Sequence, residues 1–207
     1  WSTAHPEFDW LPRKFKIAVK GSHEANVDRA AIAVHDIGLG VKRDESGNVV
    51  FDVYVGGGLG RTPVIGSLIR ETLPEAHLLT YLEAIMRVYN RYGRRDNKYK
   101  ARIKILVKAM GVEAFRTAVE HEWESLKDGP ATLTSAEISR VKSFFTEPEY
   151  LSTNPADSDA QLAKRCEADP IFNNWVLRNT AAHRDHDYCS RSYRGIKTQQ
   201  TNQAAHK

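Results

Sequence analysis

The chain contains few cysteines and no long apolar segment. Only Cys166 and Cys189 are present, and their separation of 23 positions suits neither a paired metal-ligand motif nor a disulfide framework. A reducing cytoplasm is therefore the expected compartment. No apolar run is long enough to span a bilayer, and residues 1–10 lack the charged-then-apolar order of a signal peptide. We therefore expect no membrane partner.

The sequence also lacks the residue patterns of several common active sites. Its eight histidines include no H-x-x-x-H or HExxH pair, and no Ser-His-Asp or Cys-His set follows from order or spacing. The glycine-rich stretch at 56–61 is neither a GxGxxG fingerprint nor a Walker loop, because no Gly-Lys-Ser/Thr follows it. A starting Met is absent as well, so we expect an internal piece of a longer protein.

Strand-type patterns fill the first part of the chain. They occur at 11–19, within 29–44 and at 49–61, and the short connections between them favour an antiparallel sheet. Helical spacing follows. Helices are predicted at 75–93 with Gly93 as C-cap, at 98–110, at 112–127, from Ser135, from about Asp157 or Ser158, and at 169–180. Strands followed by helices predict an α+β fold, an antiparallel sheet with helices packed against it.

Three cations lie in the first predicted strand, LPRKFKIAV at 11–19. In a strand, Lys14 and Lys16 point to one face, while Arg13 and Phe15 point to the other. Two ammonium groups on one face suit a small dianion, because Lys is a compact point charge. The competing interpretation is an edge strand whose lysines protect against aggregation.

The glycine-rich stretch GGGLGR at 56–61 follows the third predicted strand. Backbone without side chains allows Gly56, Gly57 and Gly58 to approach a cofactor or an anion closely. The alternative is a turn with positive φ angles and no ligand.

A basic segment at 91–104 contains seven Lys or Arg and one Asp. The guanidinium of Arg102 suits bidentate binding of a carboxylate or a phosphate. Lys98, Arg102 and Lys104 are expected near one helical face. A solvated helix face and a nucleic-acid surface are the alternatives. The net charge of +4 and the pI near 9.0 favour anionic partners without naming one.

Taken in order, five segments resemble the sirohaem-containing nitrite and sulfite reductases, and most closely the bacterial hemoprotein type. The similarity runs over about residues 1–127, with a weaker echo at 172–183. The segments are LPRKFKIAV, DRAAIAVHDIGL, VGGGLGRTP, LLTYLEAIMRVYNRYGRRDNKYKARIKILV and GVEAFRTAVEHEW.

The resemblance implies an oxidoreductase that reduces nitrite to ammonia or sulfite to sulfide at a sirohaem coupled to a [4Fe-4S] cluster. Electrons would come from a ferredoxin or a flavoprotein, and nucleic acid would not be a partner. By the family's motif, Lys14 and Lys16 are the substrate-facing lysines, which hold the oxyanion and donate protons. The residues implied to contact the cofactor, which carries many carboxylates, are Arg13, Gly56, Gly57, Gly58, Arg61 and Arg102.

Departures from the family pattern limit what the chain is expected to do alone. The family's cluster ligands form a C-x5-C pair and a C-x3-C pair, and neither occurs here. No metal ligand is therefore assigned, the cluster ligands are expected outside this chain, and the fragment is expected to be inactive alone. The alternative functions are a basic nucleic-acid-binding module and a degenerate, non-catalytic domain.

The resemblance also suggests three regions. Residues 1–127 are interpreted as a partial first sirohaem-binding module, 128–183 as a helical linker region, and 184–207 as an aberrant or disordered tail. A frame-shift or an early end of the reading frame is the hypothesis for the origin of that tail.

Overall fold

The computed structural model describes residues 1–21, 30–146, 155–181 and 189–190. The chain divides into two compact units, Trp1–Phe145 and Thr146–Lys207. The first unit combines a sheet with helices, and the described part of the second unit contains helices and a short ribbon.

In the first unit, the described residues form a sheet of four strands in the spatial order β1-β2-β3-β4. β1 runs parallel to β2, whereas the β2–β3 and β3–β4 pairs are antiparallel. A mostly antiparallel sheet with helices on it confirms the predicted α+β class. The strands are β1 Ile17–Lys20, β2 Ile37–Arg43, β3 Val49–Val55 and β4 Ser67–Pro74.

The strands differ from the prediction in their boundaries and in their number. β1 begins at Ile17, so the prediction that Lys14 and Lys16 lie within the first strand is wrong. β2 begins only at Ile37, because the chain before it forms a 3₁₀ turn at Ile32–Val34. β4 was not predicted, and a register shift against β3 together with the positive φ of Thr72 interrupts the alternation that would mark it.

Helices follow the sheet as their apolar spacing predicts. They are α1 Leu78–Tyr92, α2 Ile103–Met110, α3 Val112–Glu124 and α4 Ser135–Lys142. The N–H of Gly93 caps α1 by donating to the Tyr89 carbonyl at 2.8 Å, but its φ of −65° is not left-handed. A Cβ at Gly93 would lie 2.5 Å from Cγ of Pro12, so close approach of the chain explains this glycine.

The predicted helix at 98–110 is shorter than expected. Lys98–Lys100 form a separate 3₁₀ turn, and α2 begins at Ile103 with Arg102 at its N-cap position. Lys98 and Lys104 therefore belong to different elements, and the prediction that they share one helical face with Arg102 is wrong.

The described part of the second unit contains two helices, α5 Pro155–Ala168 and α6 Pro170–Asn179. Residues 157 and 158 lie inside α5, so they do not cap it as expected. Asp169 caps α6, since its carboxylate accepts hydrogen bonds from the N–H groups of Ile171 and Phe172 at 3.0 Å. The antiparallel strands β5 Thr180–Ala181 and β6 Cys189–Ser190 follow, and the remainder of the predicted tail at 184–207 lies outside the described residues.

One apolar core joins the sheet to α1, α2 and α3. Tyr81, Ile85 and Tyr89 are fully buried on α1, and Ile37 and Val53 are fully buried on the sheet. Burial of this apolar surface is the main favourable contribution to folding. It also brings the entry of β1, the end of β3 and the start of α2 together.

Candidate functional site

The cationic segment, Arg13–Lys16, leads directly into β1. Lys14 and Lys16 are exposed, whereas Arg13 and Phe15 are half-buried, so the predicted alternation of faces is present although the segment precedes the strand. Phe15 packs against the apolar core. Within the described ranges, no hydrogen bond or ion pair engages the side chain of Lys14 or Lys16.

The backbone of the cationic segment is anchored at several points. The hydroxyl of Tyr89 lies 3.0 Å from the carbonyl oxygen of Arg13. The N–H of Lys16 donates to Oδ2 of Asp36 at 3.0 Å, and its carbonyl accepts from the N–H of Ile37 at 3.1 Å. Two ammonium groups therefore extend from a held backbone, an arrangement that reduces the entropy lost when they bind an anion.

Asp36 is a buried acid that contacts the cationic segment, Arg102 and the first glycine after β3. Its exposure is 1%, and Arg102 donates from Nε and Nη2 to its carboxylate at 2.8 to 3.0 Å. The backbone carbonyl of Asp36 also accepts from the N–H of Gly56 at 3.0 Å. A carboxylate buried this deeply needs such partners, because desolvation penalises an unpaired charge.

Asp36 was missed by the sequence interpretation. A weak signal was available, since a single acid directly before the apolar strand β2 must be either exposed or paired. Its partner, Arg102, lies 66 residues further along the chain, so no local pattern predicts that the two residues pair.

The glycine loop, residues 56–66, connects β3 to β4. Gly56 has a φ of +85°, which a side chain would strain. A Cβ at Gly57 would lie 2.6 Å from the carbonyl oxygen of His35, and one at Gly58 would lie 3.1 Å from Nη2 of Arg102. At these three glycines, the close approach is made by the chain's own atoms.

Lys104 holds the far side of the glycine loop. It is 8% exposed, and its Nζ donates to the carbonyl oxygens of Thr62 at 2.6 Å and Leu59 at 3.3 Å. Gly58 and Val64 exchange two backbone hydrogen bonds of 2.9 Å across the loop. The loop is therefore closed by bonds at its base.

The tip of the glycine loop presents apolar and basic groups to solvent. Leu59 is 61% exposed and Ile65 is 69% exposed, and Arg61 is exposed between them. No hydrogen bond or ion pair of the Arg61 side chain occurs within the described residues. The tip thus combines an apolar surface with an available guanidinium.

Most cations of the basic segment pair with other groups of the chain. Arg91 pairs with Glu122 at 3.1 Å, and Arg94 pairs with Asp96 at 2.7 Å. Arg95 donates to the carbonyl oxygen of Trp10 at 2.8 Å. With the contacts of Arg102 and Lys104, five of the seven cations of this segment pair with groups in the described part of the chain itself.

Tyr89 is a neutral donor at the base of the site. Burial, and then the negative charge of Asp36, raises the pKa of Tyr89 to about 12. Its hydroxyl also lies 2.9 Å from the carbonyl oxygen of Ala101, the residue before Arg102. The single hydroxyl proton, which can be donated to either carbonyl oxygen, therefore stays on the phenol at neutral pH.

The described residues offer no ready site for a metal ion. They contain no group of three or more His, Cys, Asp or Glu side chains placed to hold one. Cys166 is half-buried and unpaired, and the side chain of Cys189 lies outside the described part of the chain. Among the helices that the structure describes, none has the length and apolarity needed to cross a membrane.

Comparison with known proteins links this arrangement to a family of reductases. A sulfite reductase [ferredoxin] 1 of Mycolicibacterium paratuberculosis is 36% identical over 133 residues, which cover 63% of this chain and 23% of that protein. A sulfite reductase [NADPH] hemoprotein beta-component of Methylorubrum populi is 33% identical over 221 residues, covering 84% of this chain and 36% of that protein.

A solved structure gives a consistent result. The Mycobacterium tuberculosis NirA protein matches with a TM-score of 0.51 and 30% identity, over 62% of this chain and 23% of that one. The chain thus spans about a quarter to a third of the length of these proteins. The family model described as the nitrite and sulphite reductase 4Fe-4S domain matches residues 1–127. Because that match covers more than half of the sequence, the chain belongs to the nitrite and sulphite reductase 4Fe-4S domain family.

Proposed function

We propose that this chain forms part of a reductase of sulfite or nitrite, in which Lys14 and Lys16 bind the oxyanion. The observation that carries the proposal is the pair of exposed ammonium groups, unengaged within the described residues, on a backbone held at Arg13 and Lys16. Sulfite and nitrite are small anions that such compact cations can grip. Their reduction to sulfide or ammonia releases oxygen as water, so it consumes protons.

Lys14 and Lys16 would serve both needs of that reaction. Each Nζ carries three N–H donors, which can hold the oxygens of the anion and stabilise charge as it develops. Each ammonium can also act as a general acid, because its Nζ can donate a proton to an oxygen that leaves as water. Arg13, half-buried beside them, adds a third positive charge at the same segment.

Sirohaem suits the residues around the cationic segment. Its carboxylates would be bound by Arg13, by the exposed Arg61 and by Arg102, whose Nη1 makes no hydrogen bond within the described residues. The apolar tip at Leu59 and Ile65, beyond Gly56, Gly57 and Gly58, would pack against the ring. When bound, sirohaem would pass electrons from the external donor to the anion at its iron.

A [4Fe-4S] cluster does not suit this chain's own residues. Such a cluster is held by four cysteine thiolates, and the sequence contains only Cys166 and Cys189. The proposal therefore places the cluster ligands outside this chain and assigns none of its residues to metal. It also takes a ferredoxin or a flavoprotein as the electron donor, because relatives are named for ferredoxin and for NADPH.

Anion binding by the full 207-residue chain tests the proposal. Sulfite, and separately nitrite, is titrated while backbone amide resonances of the cationic segment are followed by NMR. We expect saturable shifts at Lys14 and Lys16, and a loss of affinity of roughly tenfold in the double variant Lys14→Ala/Lys16→Ala, the size of about one charged hydrogen bond.

Lys100→Ala is the matched control, since Lys100 is also exposed but lies in the 3₁₀ turn of the basic segment. Equal affinities in the double variant and in this control would contradict the proposal and favour a degenerate domain. Binding of duplex DNA that weakens steeply with salt, without any sulfite binding, would favour the nucleic-acid alternative instead.

A further inference from the structure

We propose that Asp36 and Arg102 are positioning residues that determine where the ammonium groups of Lys14 and Lys16 lie. The inference rests on the proposed function, in which these lysines bind the anion. Asp36 does not contact the anion in this proposal. It acts through the backbone N–H of Lys16, which donates to its Oδ2 at 3.0 Å.

All acceptor positions of the Asp36 carboxylate are occupied. Oδ1 accepts from Nε of Arg102 at 3.0 Å and from Nη2 at 2.8 Å, while Oδ2 accepts from Nη2 at 2.8 Å and from the N–H of Lys16. A carboxylate has about four lone-pair positions, so this one has no capacity left for water. It cannot rotate without breaking a charge-assisted hydrogen bond.

The shape of the Arg102 side chain is needed for this geometry. Nε and Nη2 form a rigid fork that meets both carboxylate oxygens, whereas the single ammonium of a lysine cannot match two oxygens in one plane. The glycine loop lies close to the fork on another side, since an added Cβ at Gly58 would lie 3.1 Å from Nη2 and 3.3 Å from Cζ. The Arg102 guanidinium therefore lies between Asp36 and the glycine loop.

The contacts of Asp36 and Arg102 fix the backbone from which the lysine side chains extend. Lys16 is held at its N–H by Asp36, and the hydroxyl of Tyr89 contacts the carbonyl of Arg13. Lys14 lies between these anchors, so both lysine side chains start from held backbone positions. Stability alone does not require a buried ion pair, since well-packed apolar residues of similar volume often replace one at no cost.

Asp52 is a control carboxylate that distinguishes an effect on the position of the lysines from a general effect on stability. Asp52 accepts a hydrogen bond from the N–H of Thr72 at 3.0 Å and pairs with Lys42 at 2.7 Å, so it makes the same kinds of contact as Asp36. It makes no hydrogen bond to the cationic segment. Asp36→Asn, Arg102→Lys and Asp52→Asn are compared in the full chain, with wild type, by sulfite titration, amide hydrogen exchange and urea unfolding.

Positioning and simple charge predict opposite results for Asp36→Asn. Removal of a nearby negative charge would strengthen the binding of an anion if Coulomb attraction alone mattered. Misplaced lysines would instead weaken it, by roughly 3- to 10-fold, about the size of one neutral hydrogen bond. Arg102→Lys keeps the net charge of the chain. If Asp36→Asn does not fold, sulfite titration and Lys16 amide exchange of Arg102→Lys test the same inference.

We expect Asp36→Asn and Arg102→Lys to weaken sulfite binding and to accelerate exchange at the Lys16 amide, while Asp52→Asn changes neither. Urea unfolding shows how much stability each variant loses. Unchanged or tighter sulfite binding together with unchanged Lys16 exchange would overturn the inference. If wild type itself does not bind sulfite through Lys14 and Lys16, the proposed function fails. The positioning role is then decided by Lys16 exchange alone.

Discussion

The hydroxyl of Tyr89 lies 3.0 Å from the carbonyl oxygen of Arg13, 76 residues earlier in the chain. Tyr89 is fully buried in the last part of α1, and its hydroxyl also lies 2.9 Å from the carbonyl oxygen of Ala101. One phenol thus links the cationic segment to the residue that precedes Arg102. The core helix α1 reaches the candidate site through this single polar group.

Removal of the Tyr89 hydroxyl should destabilise the fold. Tyr89→Phe removes the one hydroxyl proton that lies within reach of two carbonyl oxygens, and we expect a loss of about 1 to 2 kcal/mol in the free energy of unfolding, measured with urea. Tyr99→Phe is the control, because Tyr99 is 81% exposed and should change stability by less than about 0.5 kcal/mol. Equal effects of the two substitutions would refute the structural role of the hydroxyl.

Alkaline pH should weaken the fold through the same residue. The pKa of Tyr89 is raised in the folded state to about 12, so the folded chain retains a proton that the unfolded chain loses near pH 10. The stabilising contribution is complete below pH 10 and is lost as the pH rises through 12. Burial raises the pKa of Tyr81 too, so both tyrosines act in the same direction.

We therefore expect the free energy of unfolding to fall between about pH 10 and pH 12, and to fall less steeply in Tyr89→Phe. Urea unfolding at a series of alkaline pH values measures both slopes. Identical slopes in wild type and variant would show that Tyr89 does not titrate differently in the folded and unfolded states.

A methyl group at Gly57 should disrupt the glycine loop. It would lie 2.6 Å from the carbonyl oxygen of His35 and would also clash with that of Ala33, which is held by the N–H of Gly66. Gly57→Ala should cost about 2 kcal/mol, since the clash is with backbone that cannot move aside. Gly21→Ala, which meets no atom within 4 Å, should stay within about 0.5 kcal/mol of wild type in the same urea experiment.

Loss of the Lys104 ammonium should open the glycine loop. Nζ of Lys104 bonds the carbonyl oxygens of Thr62 and Leu59, and Met keeps the length of the side chain without these bonds. We expect Lys104→Met to be cut faster by trypsin after the exposed Arg61, as followed by mass spectrometry of the products. Lys108→Met, on the exposed side of α2, should cleave there at the wild-type rate, and a similar acceleration in it would contradict the prediction.

Local pattern predicted the helices better than the sheet. The apolar stripe of α1 repeats at helical spacing, so it indicates a helix wherever it packs, and Gly93 marks its end. β4 carries no such repeat, because its register shift against β3 and the positive φ of Thr72 interrupt the alternation. The parallel direction of β1 was also unpredicted, since it depends on the path of the chain between β1 and β2 rather than on either strand.

In the candidate site too, local pattern predicts some features, and others depend on contacts between distant residues. The exposure of Lys14 and Lys16 follows from alternation around the apolar Phe15, which packs on the core. The role of Arg102 does not follow from its neighbours, because its fork is directed to a carboxylate 66 residues away. Resemblance to a family implies that Arg102 contacts the cofactor, and only the geometry shows its contact with Asp36.

By itself, the sequence determined the α+β class, the approximate positions of most helices and the presence of two lysines on one face, because each depends on the local period of apolar residues and on the direction of alternate side chains. Only the tertiary structure decided which distant groups meet: Tyr89 with Arg13, Lys104 with the glycine loop, and Asp36 with Arg102 and Lys16. Those contacts arise when the core packs and buried polar groups must find partners. Because this requirement acts through space, the residues next to one partner do not identify the other.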